Sequence, residues 1–106
     1  MARSSPTADS TLEVVHALVP VLKAISDDYR LAILLLLSKE SRTVVELTEE
    51  LQLAQPLVSH HLKALREAGL ISLTPEGRSN RYAICCEAVG APIRFLSGLA
   101  SATPRE

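Results

Sequence analysis

Two pairs of neighbouring residues have the side chains that are best suited to bind a transition metal: His60–His61 and Cys85–Cys86. Neighbouring residues of a helix point about 100° apart, so both histidines cannot easily hold one ion. Successive residues of a strand point to opposite faces, which separates the two thiols in the same way. Without a metal, His61 is a hydrogen-bonded core residue, His60 faces outward, and the cysteines pack as small apolar residues at a strand end. Cys85 and Cys86, together with His16, are the candidate metal ligands.

A row of polar side chains follows one side of residues 55–70, as in a helix that enters a DNA groove. Glutamine pairs with the edge of adenine, serine and histidine reach a base or a phosphate, and lysine suits the phosphate backbone. Five residues of this stretch are candidates for DNA contact: Gln55, Pro56, Ser59, His60 and Lys63. Ser59 and His60 are adjacent and point apart, so they do not form a nucleophile–base pair, and nothing else in the chain predicts an enzyme.

The opposite side of this stretch must pack on a core. Five residues recur there at the helical period: Leu57, Val58, His61, Leu62 and Leu65. Pro56 suits a first helical turn, because its missing N–H costs nothing there. Gly69 suits the left-handed position just beyond a helix end. We therefore predict a helix over residues 55–68, with one apolar and one polar side.

The N-terminal part of the chain predicts a helix after a disordered tail. Residues 1–9 show no apolar periodicity. Ser10 and Glu13 then have the spacing of a capping box. Pro20 lies inside the helix that follows, which predicts a kink or a break near Val19.

Two more helices are predicted before residue 55. Asp27 or Asp28 can cap the first of them, and its run over residues 31–37 is apolar on every side, which predicts a central, buried helix. A second capping box at Thr43–Glu46 opens a short helix over residues 44–51. The connection to the next helix is about three to four residues long, which is the helix-turn-helix spacing.

After Gly69 the apolar period changes from helical to alternating. Residues 71–74 and 81–84 alternate around the turn-forming residues 75–79, which predicts a two-stranded hairpin. Three residues at or near its tip are further candidates for DNA contact: Arg78, Asn80 and Arg81. A last helix is predicted over residues 87–101. The fold class is therefore mainly α with a two-stranded β-hairpin: four helices, the hairpin and a fifth helix.

The composition indicates one small domain. The chain has 106 residues, of which 47% are hydrophobic and 3% aromatic, so its core is aliphatic and small enough to favour a dimer. The net charge of −1 does not by itself indicate a nucleic-acid partner, although basic residues outnumber acidic ones over residues 55–84. We predict a domain over residues 10–102, with tails at 1–9 and 103–106. No signal peptide, membrane span or disulfide framework is visible, which predicts a cytoplasmic protein.

The order of these elements resembles the winged helix-turn-helix of the ArsR/SmtB, or arsenic-repressor-like, family of bacterial repressors. The segments that carry the resemblance are residues 22–37, residues 58–70 (VSHHLKALREAGL) and the wing at residues 76–82 (EGRSNRY). The resemblance covers about residues 18–89. It implies a homodimer that binds operator DNA and leaves it when a metal or another inducer binds. The interface residues implied in the first and last helices are Leu12, Val15, Val19, Ile93, Leu96 and Ala100.

The residues at the usual metal-binding positions of that family depart from its pattern. Thr43, Val44 and Val45 stand where the family often has Cys-Val-Cys. The positions that match the site in the last helix are Cys86, Ala88, Leu99 and Ala102. Three alternatives remain for the effector: a transition metal or arsenite at Cys85, Cys86 and His16, another inducer, or a separate co-regulator protein that senses it. Ala54 stands where the family prefers a serine cap.

We therefore expect a dimeric, sequence-specific DNA-binding regulator, a repressor of a metal- or stress-response promoter. It would read a palindromic operator with helix 55–68 and the wing 75–81. One alternative is a winged-helix module for protein–protein contact. Another is a DNA-binding subunit whose effector is sensed by a separate partner protein.

Overall fold

The computed structural model of the chain describes residues 6–85, 90, 94 and 97–99, with side chains from Thr11 onward. The elements are α1 (Pro6–Ile25), α2 (Asp28–Lys39), β1 (Arg42–Thr43), α3 (Val44–Leu51), α4 (Gln55–Glu67), β2 (Ile71–Glu76) and β3 (Ser79–Ile84). The predicted last helix lies mostly outside the described residues, and its described positions are helical. The tail at 103–106 and residues 1–5 also lie outside them. In the described part of the chain, no helix is both long and apolar enough to cross a membrane.

The capping signals of the sequence are confirmed at α2 and α3. The carboxylate of Asp27 accepts hydrogen bonds from the backbone N–H groups of Tyr29 and Arg30, at 3.0 and 3.2 Å. Thr43 and Glu46 form the reciprocal capping box, with each side chain accepting from the other's backbone N–H. These bonds satisfy donors that a helix start otherwise leaves unpaired, so both helices begin at residues that the sequence marks.

The predicted end of α4 is confirmed as well. Gly69 has a φ of 78°, in the left-handed region. Its N–H donates to the carbonyl of Arg66 at 2.9 Å, and the N–H of Leu70 donates to the carbonyl of Leu65 at 3.0 Å. This pair of bonds is the Schellman arrangement, which satisfies the last carbonyls of the helix and turns the chain sharply toward β2.

The core lies between α2, α3, α4 and the start of β2. Its fully buried large side chains are Ile33, Leu47, Val58, Leu62, Leu65 and Leu70. Burial of each such side chain stabilises the fold by about 1.5–3 kcal/mol. Because three of the six belong to α4, this helix is held firmly along one side while the other stays in solvent.

The predicted hairpin is confirmed as β2 and β3, although its turn is shorter than the predicted residues 75–79, and a third strand, β1, joins it. The strand order is β1-β3-β2, and all neighbours are antiparallel. Arg42 of β1 pairs with Tyr82 of β3, and Thr43 pairs with Arg81. A strand of two residues is too short to show an alternating pattern, and its partner lies far along the chain, so the sequence contains no local signal for it.

Helix α1 is longer and less interrupted than predicted. It begins at Pro6 rather than at Ser10, and proline suits a first helical position. The helix also continues through Pro20 to Ile25, so the break predicted near Val19 is absent. Pro20 is exposed, and the solvent side of a helix is where a missing backbone hydrogen bond is most easily tolerated.

Helix α2 is not buried on every side, which corrects a second expectation. Ile33, Leu34 and Leu37 are buried, but Leu31 and Leu35 keep 48% and 61% of their surface exposed. Leu31 and Leu35 lie one turn apart, on the side opposite the core. An apolar run therefore did not distinguish a central helix from one that is covered on one side only.

Candidate nucleic-acid interface

The polar side of α4 is exposed, and it presents all the candidates predicted on this helix. The exposed candidates are Gln55, Pro56, Ser59, His60 and Lys63. Lys63 has an ion pair with Glu67 at 3.5 Å between two exposed side chains. Such a pair contributes about 1 kcal/mol or less, so the ammonium can exchange this partner for a phosphate. The arrangement matches a helix with bonding groups near its N-terminus, where a recognition helix meets base edges.

Leu57 does not belong to the buried stripe, and the prediction that it packs on the core is wrong. Half of its surface, 50%, is exposed. At the helical period it points about 100° away from the buried Val58, toward the side of His60. Leu57 therefore places an apolar group at the edge of the polar face, in the first turn of the helix.

The turn between α3 and α4 has the compact geometry of a helix-turn-helix. Gln52 ends α3 in the left-handed region, with a φ of 54°, and the N–H of Leu53 donates to the carbonyl of Thr48 at 3.3 Å. Ala54 is the N-cap of α4 and makes no side-chain capping bond, because a methyl group cannot accept a hydrogen bond. The turn is thus held by backbone bonds and by the packing of both helices on the core.

His61 links α4 to the start of α2. Its Nδ1 accepts a hydrogen bond from Nε of Arg30 at 3.1 Å and lies 3.8 Å from a carboxylate oxygen of Asp27. Its ring also stacks on Tyr29, with ring centroids 6.0 Å apart. The prediction of a hydrogen-bonded residue on the core side is confirmed, since the side chain is only 13% exposed. Arg30 was missed, because its bond to His61 spans 31 residues and leaves no local pattern.

The electrostatics of this link favour a neutral imidazole. Burial lowers the pKa of His61 below its ordinary value, and the charges of Arg30 and His60 act in the same direction, whereas Asp27 opposes them. A neutral ring can accept at Nδ1 and carry its proton at Nε2, which is the form that Arg30 requires. The pKa of Asp27 is lowered chiefly by the hydrogen bond from the backbone of Arg30.

The wing is a tight hairpin with an exposed tip. Glu76 pairs with Ser79, which leaves Gly77 and Arg78 as the two turn residues. Gly77 has a φ of 60°, a conformation that hairpin turns of this length require and that suits glycine. Arg78 and Asn80 are exposed. Arg78 has no hydrogen bond or ion pair with any residue that the structure describes, so its guanidinium is available to a partner.

Arg81 is in a different state from Arg78, although both were predicted to face DNA. Its guanidinium binds the carboxylate of Glu76, lies 3.8 Å from that of Glu46, and donates to the carbonyl of Ser41 at 3.3 Å. The hydrogen bond to Glu76 is the main reason that the pKa of Arg81 is raised. Arg81 thus ties the wing to the start of α3.

The candidate metal ligands do not assemble into a site in the part of the chain that is described. His16 and Cys85 are both exposed, and Cys86 lies outside the described residues. Across residues 11–85 and the few described beyond them, no three histidine, cysteine or acidic side chains are grouped so that they could hold a metal ion. The rings of His60 and His61 meet edge to face, with 5.6 Å between their centroids, and Nδ1 of His61 already accepts a hydrogen bond from Arg30.

Helix α1 exposes an apolar row. Leu12, Val15 and Val19, the predicted interface residues of this helix, keep 54%, 37% and 37% of their surface exposed. The interface residues predicted in the last helix, Ile93, Leu96 and Ala100, lie outside the described residues. A row of large aliphatic side chains at helical spacing on one exposed side is typical of a surface that a partner covers.

Comparison with known proteins identifies relatives for this arrangement. A family model for bacterial regulatory proteins of the arsR family matches residues 27–72. The chain is 40% identical over 70 residues to the HTH-type transcriptional repressor SmtB of Mycobacterium tuberculosis. That match covers 66% of this chain and 52% of SmtB, so the chain spans about half the length of this relative.

Two solved structures share the fold. The transcriptional regulator HlyU from Vibrio vulnificus is 35% identical, with a TM-score of 0.70, and the match covers 90% of this chain and 98% of HlyU. The homodimeric winged helix-turn-helix DNA-binding domain of a Mycobacterium bovis protein, described as a possible ArsR-family regulator, is 29% identical, with a TM-score of 0.69. That match covers 95% of this chain and 91% of the domain.

Proposed function

Because the chain belongs to the ArsR family of bacterial regulatory proteins, we propose that it is a dimeric repressor that binds DNA sequence-specifically, with α4 and the wing reading a palindromic operator. The observation that carries the proposal is the exposed polar side of α4, supported from behind by a buried apolar side. The relatives reported above are regulators rather than enzymes. In this proposal the protein acts in the cytoplasm.

The residues of α4 divide between base reading and positioning. Gln55 lies at the N-terminus of the helix and pairs with an adenine edge in the major groove. Ser59 and His60, exposed one turn further on, bind a base or a phosphate, and Lys63 binds the phosphate backbone. His61 has no DNA contact in this proposal, because its side chain is only 13% exposed and lies on the core side of α4.

The wing contributes phosphate or minor-groove contacts through Arg78 and Asn80, which are exposed. Arg81 supports them by holding the wing against α3 through Glu46 and against the loop between α2 and β1 through Ser41. This assignment refines the initial expectation that Arg78 and Arg81 act alike.

Dimerisation supplies the symmetry that a palindrome requires. Leu12, Val15 and Val19 are proposed to meet the partner subunit, and the name of the Mycobacterium bovis domain states that it is homodimeric. The two copies of α4 would then lie about 34 Å apart, one helical turn of DNA.

The family's usual metal position at the start of α3 offers no thiolate to an effector. Thr43, at a usual family metal position, offers only a hydroxyl, which already caps α3. Release by a metal at that position is therefore not proposed. A metal- or stress-response promoter remains part of the proposal, with either a transition metal or arsenite at Cys85, Cys86 and His16, another inducer, or a separate co-regulator protein as its sensor.

Fluorescence anisotropy tests the DNA-binding proposal. Labelled duplexes from the region upstream of the gene are titrated with the protein at several salt concentrations, beside scrambled duplexes of equal length and composition. We expect tight binding to one palindromic duplex and a steep loss of affinity as salt increases. Equal affinity for scrambled DNA at every salt concentration would show that the protein is not a sequence-specific repressor.

A module for protein–protein contact is the second candidate, and the exposed Leu57 is the observation in its favour. A single leucine among polar side chains is a smaller apolar surface than a docking site for a protein usually has. Its size suits contact with one thymine methyl group. A protein that fails to bind any duplex at 50 mM salt but retains its fold would favour this second candidate.

A further inference from the structure

An open cleft of about 300 Å³ lies where α1, α2 and α4 meet. Three of its lining residues are Ala24, Ala64 and Ala68. Because a methyl group fills little of the space between three helices, these alanines leave a gap where larger side chains would have closed the junction. Its volume lies at the lower end of the range for small-molecule sites, so the cleft suits a small ligand.

The charged residues that line the cleft give it a net positive charge. Lys23 and Arg30 both line it. The terminal nitrogens of Arg30 donate no hydrogen bond to any residue in the described part of the chain, although its Nε is bound to His61, and Lys23 forms no ion pair there either. The one acidic residue of the lining, Glu67, is paired with Lys63 at 3.5 Å.

We propose that this cleft binds a small monocarboxylate with a short apolar chain, and that Arg30 holds its carboxylate. A guanidinium with two free terminal nitrogens matches the two oxygens of a carboxylate. The alanines and Pro20 offer apolar walls to the chain. The negative charge of Glu67 disfavours a dianion such as phosphate, which selects for a single charge.

Arg30 connects the cleft to the DNA-reading helix. The same guanidinium that would bind the carboxylate donates through Nε to His61 of α4. A bound carboxylate holds this guanidinium in one orientation, so it favours the arrangement in which α2 and α4 are linked. We expect the ligand to strengthen operator binding about fivefold or more, a typical coupling between two sites. This coupling rests on the proposed function, whereas binding to the cleft does not.

Ligand binding is measured without DNA, by amide NMR of the protein titrated with acetate, propionate, butyrate and pentanoate at constant ionic strength. We expect saturable shifts in residues of the cleft, with a dissociation constant on the order of 1 mM for the better ligands. Each methylene that enters the cleft should tighten binding about fourfold. Propionamide and inorganic phosphate are the controls, and saturable binding of either as tight as that of propionate would overturn the proposed ligand class.

Variants locate the site. Ala64→Leu fills the cleft without changing charge, and Arg30→Gln removes the guanidinium; each should weaken butyrate binding at least tenfold. Arg66→Gln removes an exposed arginine of α4 that does not line the cleft, and it should bind butyrate as the unmodified protein does. Unchanged binding in Ala64→Leu, or absence of saturable shifts up to 50 mM in the unmodified protein, would overturn the cleft as the site.

The coupling is then measured by anisotropy on the operator duplex with butyrate or propionamide. If butyrate binds the cleft but leaves operator affinity unchanged, the coupling through Arg30 is refuted while the site stands. If no duplex is bound specifically, the proposed function fails and the binding data are unaffected.

Discussion

Arg78 and Arg81 lie three residues apart on the wing, and the structure predicts that removing them has different effects on DNA binding. Arg78 is exposed at the turn and unpaired among the described residues. The guanidinium of Arg81 is bound by Glu76 and Ser41. A phosphate contact requires a guanidinium that can leave its protein partners, so only Arg78 should contribute directly.

The size of the effect follows from counterion release. Each phosphate contact adds about 0.9 to the slope of log affinity against log salt, so a dimer that loses Arg78 twice should lose about 1.8. Between 50 and 200 mM salt, this difference in slope changes the ratio of the affinities of the unmodified protein and the Arg78→Ala variant about tenfold. Arg78→Ala should therefore weaken binding most at low salt, with no measurable loss of stability.

Arg81→Ala should leave the salt slope nearly unchanged. Its loss removes ion pairs with Glu76 and Glu46 and a hydrogen bond to Ser41, made by a guanidinium side chain that is only 34% exposed, and so loosens the wing. Glu76→Gln gives the matched test, because it releases Arg81 without removing it. Glu76→Gln should steepen the salt slope when Arg81 is present, because the released guanidinium can reach a phosphate. The same substitution should not steepen the slope in a protein that also carries Arg81→Ala.

The assay is fluorescence anisotropy on the operator duplex at six NaCl concentrations from 50 to 200 mM, with urea unfolding of each variant as the control. Equal reductions of the salt slope in Arg78→Ala and Arg81→Ala, without loss of stability in either, would refute the assignment of Arg81 to support. An unchanged slope in Arg78→Ala would show that the tip of the wing does not reach the phosphates.

Three further predictions concern α4. Ala54→Ser should raise the free energy of unfolding by about 0.5–1 kcal/mol, the low end for a helix cap. The gain is small because Pro56 has no N–H and the N–H of Leu57 already donates to the carbonyl of residue 54. An unchanged urea midpoint would contradict this prediction. The pKa of His61 is lowered from its ordinary 6.5 in the folded state, so the unfolded chain binds the proton more readily and stability should fall as the pH drops below 6.5 toward the folded pKa. His61→Asn keeps an acceptor for Arg30 and should remove this loss, which urea titrations from pH 5 to 8 would measure. Leu57→Ala should change stability by less than about 0.5 kcal/mol but abolish any preference for thymine over uracil in the operator, and a preference that persists would exclude contact with the methyl group.

Much of the site could be predicted because its signals are local. The caps at Asp27 and Thr43 and the left-handed Gly69 depend on bonds within a few residues, and each was found where the sequence marks it. The two sides of α4 follow from one period of 3.6 residues, which the buried Val58, Leu62 and Leu65 confirm. The error at Leu57 arose at the edge of that pattern, where the period alone does not decide which side a residue joins.

The amino-acid sequence by itself determined the order of the described helices, the caps of α2 and α3, the end of α4, the hairpin of the wing and the polar face of α4, since each depends on the chemistry of neighbouring residues. Only the tertiary structure decided which polar side chains are free. The bond from Arg30 to His61 spans 31 residues and that from Arg81 to Ser41 spans 40, and such partners are chosen by packing. The same packing brought β1 to β3 and left a cleft among alanines that no local pattern marks.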